Sequence, residues 1–212
     1  MIKEAIKKLV AGNDLTFDEA AQVMDEMFSG TATQSQMAAY LTALRIKGET
    51  IDEITASAQV MREKALHIKP NRDVLDIVGT GGDDTGTFNI STTAAFIIAA
   101  AGIPVAKHGN RSMSSKSGSA DCLEQLGINI NITPEKSEEV LNKAGICFMF
   151  AQGYHSSMKY VGPVRKEIGI RNIFNVLGPL TNPAGADIQV TGVYSEALVE
   201  PIAQVFSNLG VK

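Results

Sequence analysis

The stretch that decides the fold is Asp76–Thr92, "DIVGTGGDDTGTFNIST". Ahead of its glycines, "VLDIV" (74–78) reads as a short buried strand. Behind them, "NISTTAAFIIAAAG" (89–102) reads as a helix apolar on nearly all sides, and therefore buried. A strand that enters a helix through bare backbone suits an anion. Gly79, Gly81 and Gly82 permit close approach. Successive N–H groups form a concavity, and the first helical turn adds unpaired N–H groups. Thr87, Ser91 and Thr92 contribute hydroxyls. The spacing misses both the GK[ST] close of a Walker loop and the GxGxxG of a dinucleotide fingerprint. Asp83 and Asp84 would repel a bare polyphosphate, and fit either an accompanying divalent cation or sugar hydroxyls. A tight strand-to-helix turn without a ligand is the alternative reading.

Outward from this loop, "IPVA" (103–106), "ICFMF" (146–150) and "IQVTGVYS" (188–195) read as strands. Helical patterns occupy 119–127, 133–145, 155–169 and 196–209. Such alternation predicts an α/β layer with a mostly parallel sheet, whose ligands bind at the C-terminal strand ends. Upstream the pattern is helical throughout. Thr16/Glu19, Thr33/Gln36 and Thr50/Glu53 each fit a capping box, and Gly30 and Gly48 fall where helix stops are expected. The expected organisation is a small helical domain over 1–69 and a larger α/β domain over 70–212, with the helix near 155–170 packing on the helical domain.

Two further segments carry chemistry. "KHGNRSMSSKSGSAD" (107–121) combines Lys107, His108, Arg111 and Lys116 with five serines. Arg forks and Lys point charges suit phosphate oxygens; a solvated basic loop is the alternative. Residues 153–185 carry His155 and Arg165, expected about three turns apart on one helix, and "FNVLGPLTNP", whose Gly and Pro predict irregular backbone. A lone His or Arg there could equally be a surface or capping residue.

Composition sets outer bounds. The net charge of −4 gives no global basic footprint for nucleic acid. Cys122 and Cys147 lie in apolar stretches without CxxC spacing, which points to buried, reduced thiols and an intracellular, cytoplasmic setting. The N-terminus reads as an amphipathic charged helix rather than a signal peptide. The longest apolar run is broken by Gly102 and Pro104, too short for a membrane span.

Taken in order, "GTGGD…TFNIST", "KHGNRSMSSKSGSAD" and "RNIFNVLGPLTNP" closely resemble the anthranilate phosphoribosyltransferase family over nearly the whole chain. The resemblance implies a homodimer joined through the helical domain, a nucleoside phosphorylase/phosphoribosyltransferase-like α/β domain incomplete at its C-terminus, and a site at the hinge. The implied reaction moves the phosphoribosyl group of phosphoribosyl pyrophosphate to anthranilate with Mg²⁺, releasing pyrophosphate, in tryptophan biosynthesis. It assigns Gly79, Gly82, Asp83, Thr87, Asn89, Ile90, Ser91, Thr92, Lys107, Asn110, Arg111, Ser112, Met113, Ser114, Ser115 and Ser119 to the phosphoribosyl donor, with Ser91 as the metal contact. Anthranilate would meet Gly79, His108, Asn110, His155, Arg165, Gly178 and Pro179, and Lys107, His108 and Arg165 would stand nearest the chemistry. The chain departs from the family at Asp84 and at "QGYHSS" (152–157). It also stops at "FSNLGVK", where another strand and a metal-holding Asp-Glu pair are expected. A pyrimidine nucleoside phosphorylase shares fold and phosphate loop but should lack "HGNRS". A non-catalytic nucleic-acid-binding relative should show a basic groove.

Overall fold

The computed structural model describes residues 1–81, 86–112 and 117–212. Its first part is helical: α1 (Ile2–Val10), α2 (Phe17–Phe28), α3 (Gln34–Lys47) and α4 (Ile51–Glu63). All three predicted capping boxes form, on α2, α3 and α4. The third does more than cap. Fully buried Glu53 accepts from Thr50 N at 2.8 Å, from Leu15 N at 2.9 Å and from Lys47 Nζ at 2.9 Å. A local signal thereby staples the α1–α2 connection to α4.

The α/β part runs β1 (Leu75–Gly79), α5 (Ile90–Ala100), β2 (Val105–Gly109), α6 (Ser119–Gln125), α7 (Pro134–Ala144), β3 (Ile146–Phe150), α8 (Ala151–Tyr154), α9 (Met158–Ile168), α10 (Phe174–Leu180), β4 (Ile188–Gly192), a 3-10 turn (Glu196–Leu198) and α11 (Val199–Asn208). The sheet order is β3-β2-β1-β4, and every neighbouring pair is parallel. Gly79, Gly109, Phe150 and Gly192 therefore end their strands along one edge of the sheet. A helical domain plus an α/β domain with a parallel sheet is the architecture expected.

Strand periodicity sorts the core into two faces. Leu75 and Val105 pack against Ala95 of α5, and Phe148 and Phe150 against Ala120 and Leu123 of α6. On the other face Val74, Ala106, Cys147 and Met149 meet Leu141 and Tyr154. The largest core joins the N-terminal helices to Val161, Val164, Phe174, Val176, Leu177, Leu180, Ile202 and Val205. The late helices α9, α10 and α11 thus pack on the helical lobe. Arg62 ties the same seam, donating from Nε to Leu180 O at 2.6 Å and from Nη1 to Leu209 O at 3.3 Å, both carbonyls at helix C-terminal ends.

Three expectations are corrected. Helix α5 is not buried all round: Thr92 and Ala95 are, but Phe96 is 41% and Ile97 66% exposed. Only one of its stripes faces the sheet, and no described element lies over the other. The segment "FNVLGPL" is helical, with Pro179 inside α10. Burial of Val176, Leu177, Pro179 and Leu180 offsets the missing proline N–H. The start is fixed by Asn172 Oδ1, which accepts from Phe174 N at 3.2 Å, and by Asn175 Oδ1, which accepts from Asn172 N at 3.0 Å. His155 and Arg165 do not share one helix. His155 follows α8, with φ −110° and ψ 65°, and Arg165 lies in the last turn of α9.

Candidate active site at the C-terminal edge of the sheet

The alternation of β2 divides the site. Lys107 lies on the face toward α5 and His108 on the face toward α10. Lys107 is buried, and its ammonium donates to Ile77 O at 2.6 Å. Burial pushes its pKa down, against the raising pull of Asp76. The β1 exit is pinned by Thr80 N donating to Gly192 O at 2.9 Å and by Tyr194 N donating to Thr80 Oγ1 at 3.1 Å. Gly81, one of the glycines read as permitting close approach, has φ +68°, a left-handed backbone that suits glycine, and Gly86 has φ +65°. Gly79 differs, being the extended last residue of β1 opposite Gly192.

The start of α5 is open. Its N-cap Asn89 makes no side-chain cap bond, and Ile90, Ser91 and Thr92 form the first turn. Asn89 Nδ2 instead reaches Ser117 Oγ at 3.4 Å, which brings the glycine loop and the basic loop together. Thr87 is exposed and Ser91 half-buried. Gly82, Asp83, Met113, Ser114 and Ser115, with Asp84 and Lys116, lie outside the described residues.

The basic loop folds back on α6. Asp121 Oδ2 accepts from Ser112 N at 3.0 Å and Gly118 N at 2.8 Å, and Ser119 Oγ donates to Asn110 O at 3.2 Å. Arg111 is engaged on its own loop: Nη1 meets Asp121 at 3.0 Å and Glu124 at 2.5 Å, and Nη2 meets Glu124 at 2.9 Å. Bonding to Glu124 foremost raises its pKa further. A guanidinium so paired does not offer the free fork the sequence suggested. Two glycines are required by close approach. A Cβ on Gly109 would fall 2.7 Å from the Phe148 ring, and one on Gly118 would fall 2.6 Å from Arg111 C and 2.8 Å from Asn110 O.

The opposite face holds a different chemistry. The rings of His108 and His155 lie 5.2 Å apart at 55°, and both residues are buried. Burial foremost lowers His108 to about 3 and His155 to about 4, so both are neutral at pH 7. His108 Nδ1 lies 3.2 Å from Gly178 O, and since a carbonyl only accepts, Nδ1 carries the proton. Its Nε2 is then a bare acceptor, buried and without a partner among the described residues. Arg165 sits over the Phe174 ring at 5.1 Å, forms no ion pair with a described residue, and has a buried, unpartnered Nε. Burial lowers its pKa to about 10, which leaves it charged. Helix α9 separates His155 from Arg165 along the chain, and α10 contacts Arg165 and His108 at different points. Phe174 lies under Arg165, and Gly178, one turn or roughly 6 Å further on, holds His108. Gly178 is half-buried and Pro179 buried, next to the His108 contact.

The sequence reading gave no role to Asp76 or Asn182. Both are buried, and Asn182 Nδ2 donates to Asp76 Oδ2 at 2.8 Å. An acid inside the apolar run "VLDIV" was the available signal. Among the described residues no group of three or more His, Cys, Asp or Glu could hold a metal ion, and no helix is long and apolar enough to cross a membrane.

These features define a class. Residues 71–212 match the family described as "Glycosyl transferase family, a/b domain", and residues 3–65 match "Glycosyl transferase family, helical bundle domain". The chain belongs to this glycosyl transferase family. Within it, the chain is 61% identical over 212 residues to the anthranilate phosphoribosyltransferase of Ruminiclostridium cellulolyticum, covering all of this chain and 62% of the relative. The crystal structure of anthranilate phosphoribosyltransferase from Thermus thermophilus matches with TM-score 0.93 at 47% identity, over 98% of this chain and 63% of that one. The Saccharomyces cerevisiae enzyme in complex with PRPP and Mg matches with TM-score 0.90 at 27% identity, over 99% and 62%. The chain spans a little over three fifths of the length of these relatives.

Proposed function

We propose that this protein serves phosphoribosyl transfer from phosphoribosyl pyrophosphate to anthranilate in tryptophan biosynthesis, as a cytoplasmic homodimer joined through its helical domain. The observation that carries the reading is that α10 seats, over Phe174, an Arg165 guanidinium with no carboxylate among the described residues and, at Gly178 O, a neutral His108 whose Nε2 has no partner among them. A planar aromatic acid bearing an amine fits both. Its carboxylate would take the Arg165 fork, and its amine N–H would be accepted by His108 Nε2, which turns the nitrogen lone pair toward the ribose. His155 and Pro179 would supply the apolar wall, and Asn110 and Gly79 would border the donor. A nucleoside phosphorylase has no use for a carboxylate-seeking arginine in this place.

On the α5 side, the N–H groups of the first helical turn, Thr87, Asn89, Ser91, Thr92 and Ser119 would hold the donor's phosphates. Gly82, Asp83, Ser112, Met113, Ser114 and Ser115 belong to the same proposed surface. Lys107 would act through its charge, from beneath the loop at Ile77 O. Arg111 would hold the loop's shape through Asp121 and Glu124. Ser91, a half-buried residue at the helix start, is a fitting single protein ligand for a Mg²⁺ otherwise held by phosphate and water. Bound there with the donor, Mg²⁺ would neutralise charge developing on the departing pyrophosphate. The protein's own share is positioning and charge stabilisation. Histidines held neutral by burial supply orientation rather than strong base catalysis.

Anthranilate fluorescence tests the reading. Quenching or a spectral shift on titration, with loss of signal over time once phosphoribosyl pyrophosphate and Mg²⁺ are added, is the expected result. No anthranilate binding, accompanied by phosphorolysis of uridine, would move the assignment to the nucleoside phosphorylases.

A further inference from the structure

The pairing of β1 with its two neighbours is unequal. With β4 the register continues from Leu75–Ile188 to Gly79–Gly192, but with β2 it is made at Leu75–Val105 alone. Beyond that point side chains make cross-strand bonds. Lys107 Nζ reaches Ile77 O on one face, and on the other the Asp76 carboxylate accepts from His108 N at 3.3 Å. The second oxygen of Asp76 accepts from Asn182 Nδ2 at 2.8 Å. Asn182 donates again to Ala106 O at 2.8 Å, and its own Oδ1 accepts from Ala184 N at 2.8 Å. One buried amide thus joins β1, β2 and the turn after α10.

A carboxylate in this place is costly. Burial pushes Asp76 up to about 6, against Lys107, Asn182 and the His108 N–H, which all pull it down. Apolar side chains would fill a strand interior without that cost. What the polar pair adds is direction, because each bond fixes one segment against another. The segments it fixes carry His108 and, through residues 178–182, Gly178 and Pro179.

We propose that Asp76 and Asn182 are positioning residues for the acceptor half of the site, a buried latch that sets His108 against the end of α10. This rests on the proposed acceptor pocket only for its substrate. The latch touches no reacting atom; Asn182 lies apart from the α5 face, and Asp76 bears on that face only through its charge, which supports Lys107.

The test uses Asn182→Ala and Asp76→Asn in the ¹⁵N-labelled protein. His67, His108 and His155 are the chain's three histidines, so the imidazole spectrum contains three ring systems. Wild type should show His108 as the Nδ1–H tautomer. Asn182→Ala should mix its tautomers and weaken anthranilate binding about tenfold or more, while the affinity for phosphoribosyl pyrophosphate with Mg²⁺ stays within about threefold. Asp76→Asn retains an acceptor for Asn182 and should show the same His108 and anthranilate changes more weakly; because it also removes a charge that supports Lys107, it is scored on the His108 tautomer, which decides the matter if Asn182→Ala does not fold. Unchanged His108 signals in either variant, or equal losses for donor and acceptor in Asn182→Ala, would overturn the latch. If wild type binds neither substrate, the functional reading fails, and the His108 tautomer still decides the latch.

Discussion

Replacing Glu53 by Ala removes one acceptor group from three donors, at Leu15, Thr50 and Lys47. Glu53 is fully buried, and the Lys47 side chain is 6% exposed. Stranding a buried N–H costs about 1–3 kcal/mol, and breaking a buried ion pair from one side costs about 3–5 kcal/mol. Lys47 keeps Asp14 at 2.6 Å, which limits the damage on its side. The terms overlap, so a loss of about 3–5 kcal/mol is expected. In a chain of this size that corresponds to a fall in Tm of roughly 6–20 °C. Glu53→Gln retains one carbonyl oxygen and should fall between. Urea unfolding followed by circular dichroism measures both, and a double-mutant cycle with Lys47→Met isolates the ion pair. A Glu53→Ala protein within about 1 kcal/mol of wild type would refute the staple and show that water or a neighbouring group replaces it.

Arg165→Ala should weaken anthranilate binding by about 10–100-fold through loss of a charge-assisted fork, with Arg165→Lys recovering only part; titration by fluorescence checks both. Gly118→Ala drives a methyl into backbone at residues 110–112 and should cost about 1–3 kcal/mol as well as donor affinity, read by unfolding and by calorimetry with phosphoribosyl pyrophosphate. The pH dependence of stability has a defined sign. His108 and His155, held down to about 3 and 4, stay neutral while the unfolded chain takes protons near 6.5. Stability is therefore whole above pH 6.5 and falls as pH drops toward 4. Asp76, raised to about 6 from 3.8, works the other way and offsets part of that loss. Urea midpoints should be lower at pH 5 than at pH 7, with a larger drop in Asp76→Asn; a midpoint that rises at pH 5 would contradict the buried neutral pair.

Local signals were legible wherever one residue governs its own neighbourhood. The Thr-x-x-Glu/Gln boxes appear as read, and Pro134 at a helix start and Gly145 at its end likewise act within one helical turn. The alternation of strand and helix sufficed for a parallel sheet, because a parallel crossover needs a helix to return the chain. The loops that carry charge and bare backbone were visible for the same reason: their residue types suit no core. Tertiary packing decided what these signals could not. It made α10 helical despite Pro179, since burial of Val176, Leu177 and Leu180 outweighs a missing N–H. It gave Arg111 carboxylate partners on α6 and left Arg165 without one among the described residues, a difference no count of charges contains. It also split Lys107 from His108 across the sheet and closed Asp76 on Asn182, 106 residues away. The sequence by itself determined the capped N-terminal helices, the strand–helix alternation of the parallel sheet and which segments carry chemistry. Only the folded chain decided which polar groups find partners and which stay open for a ligand, because that depends on contacts between segments distant in sequence.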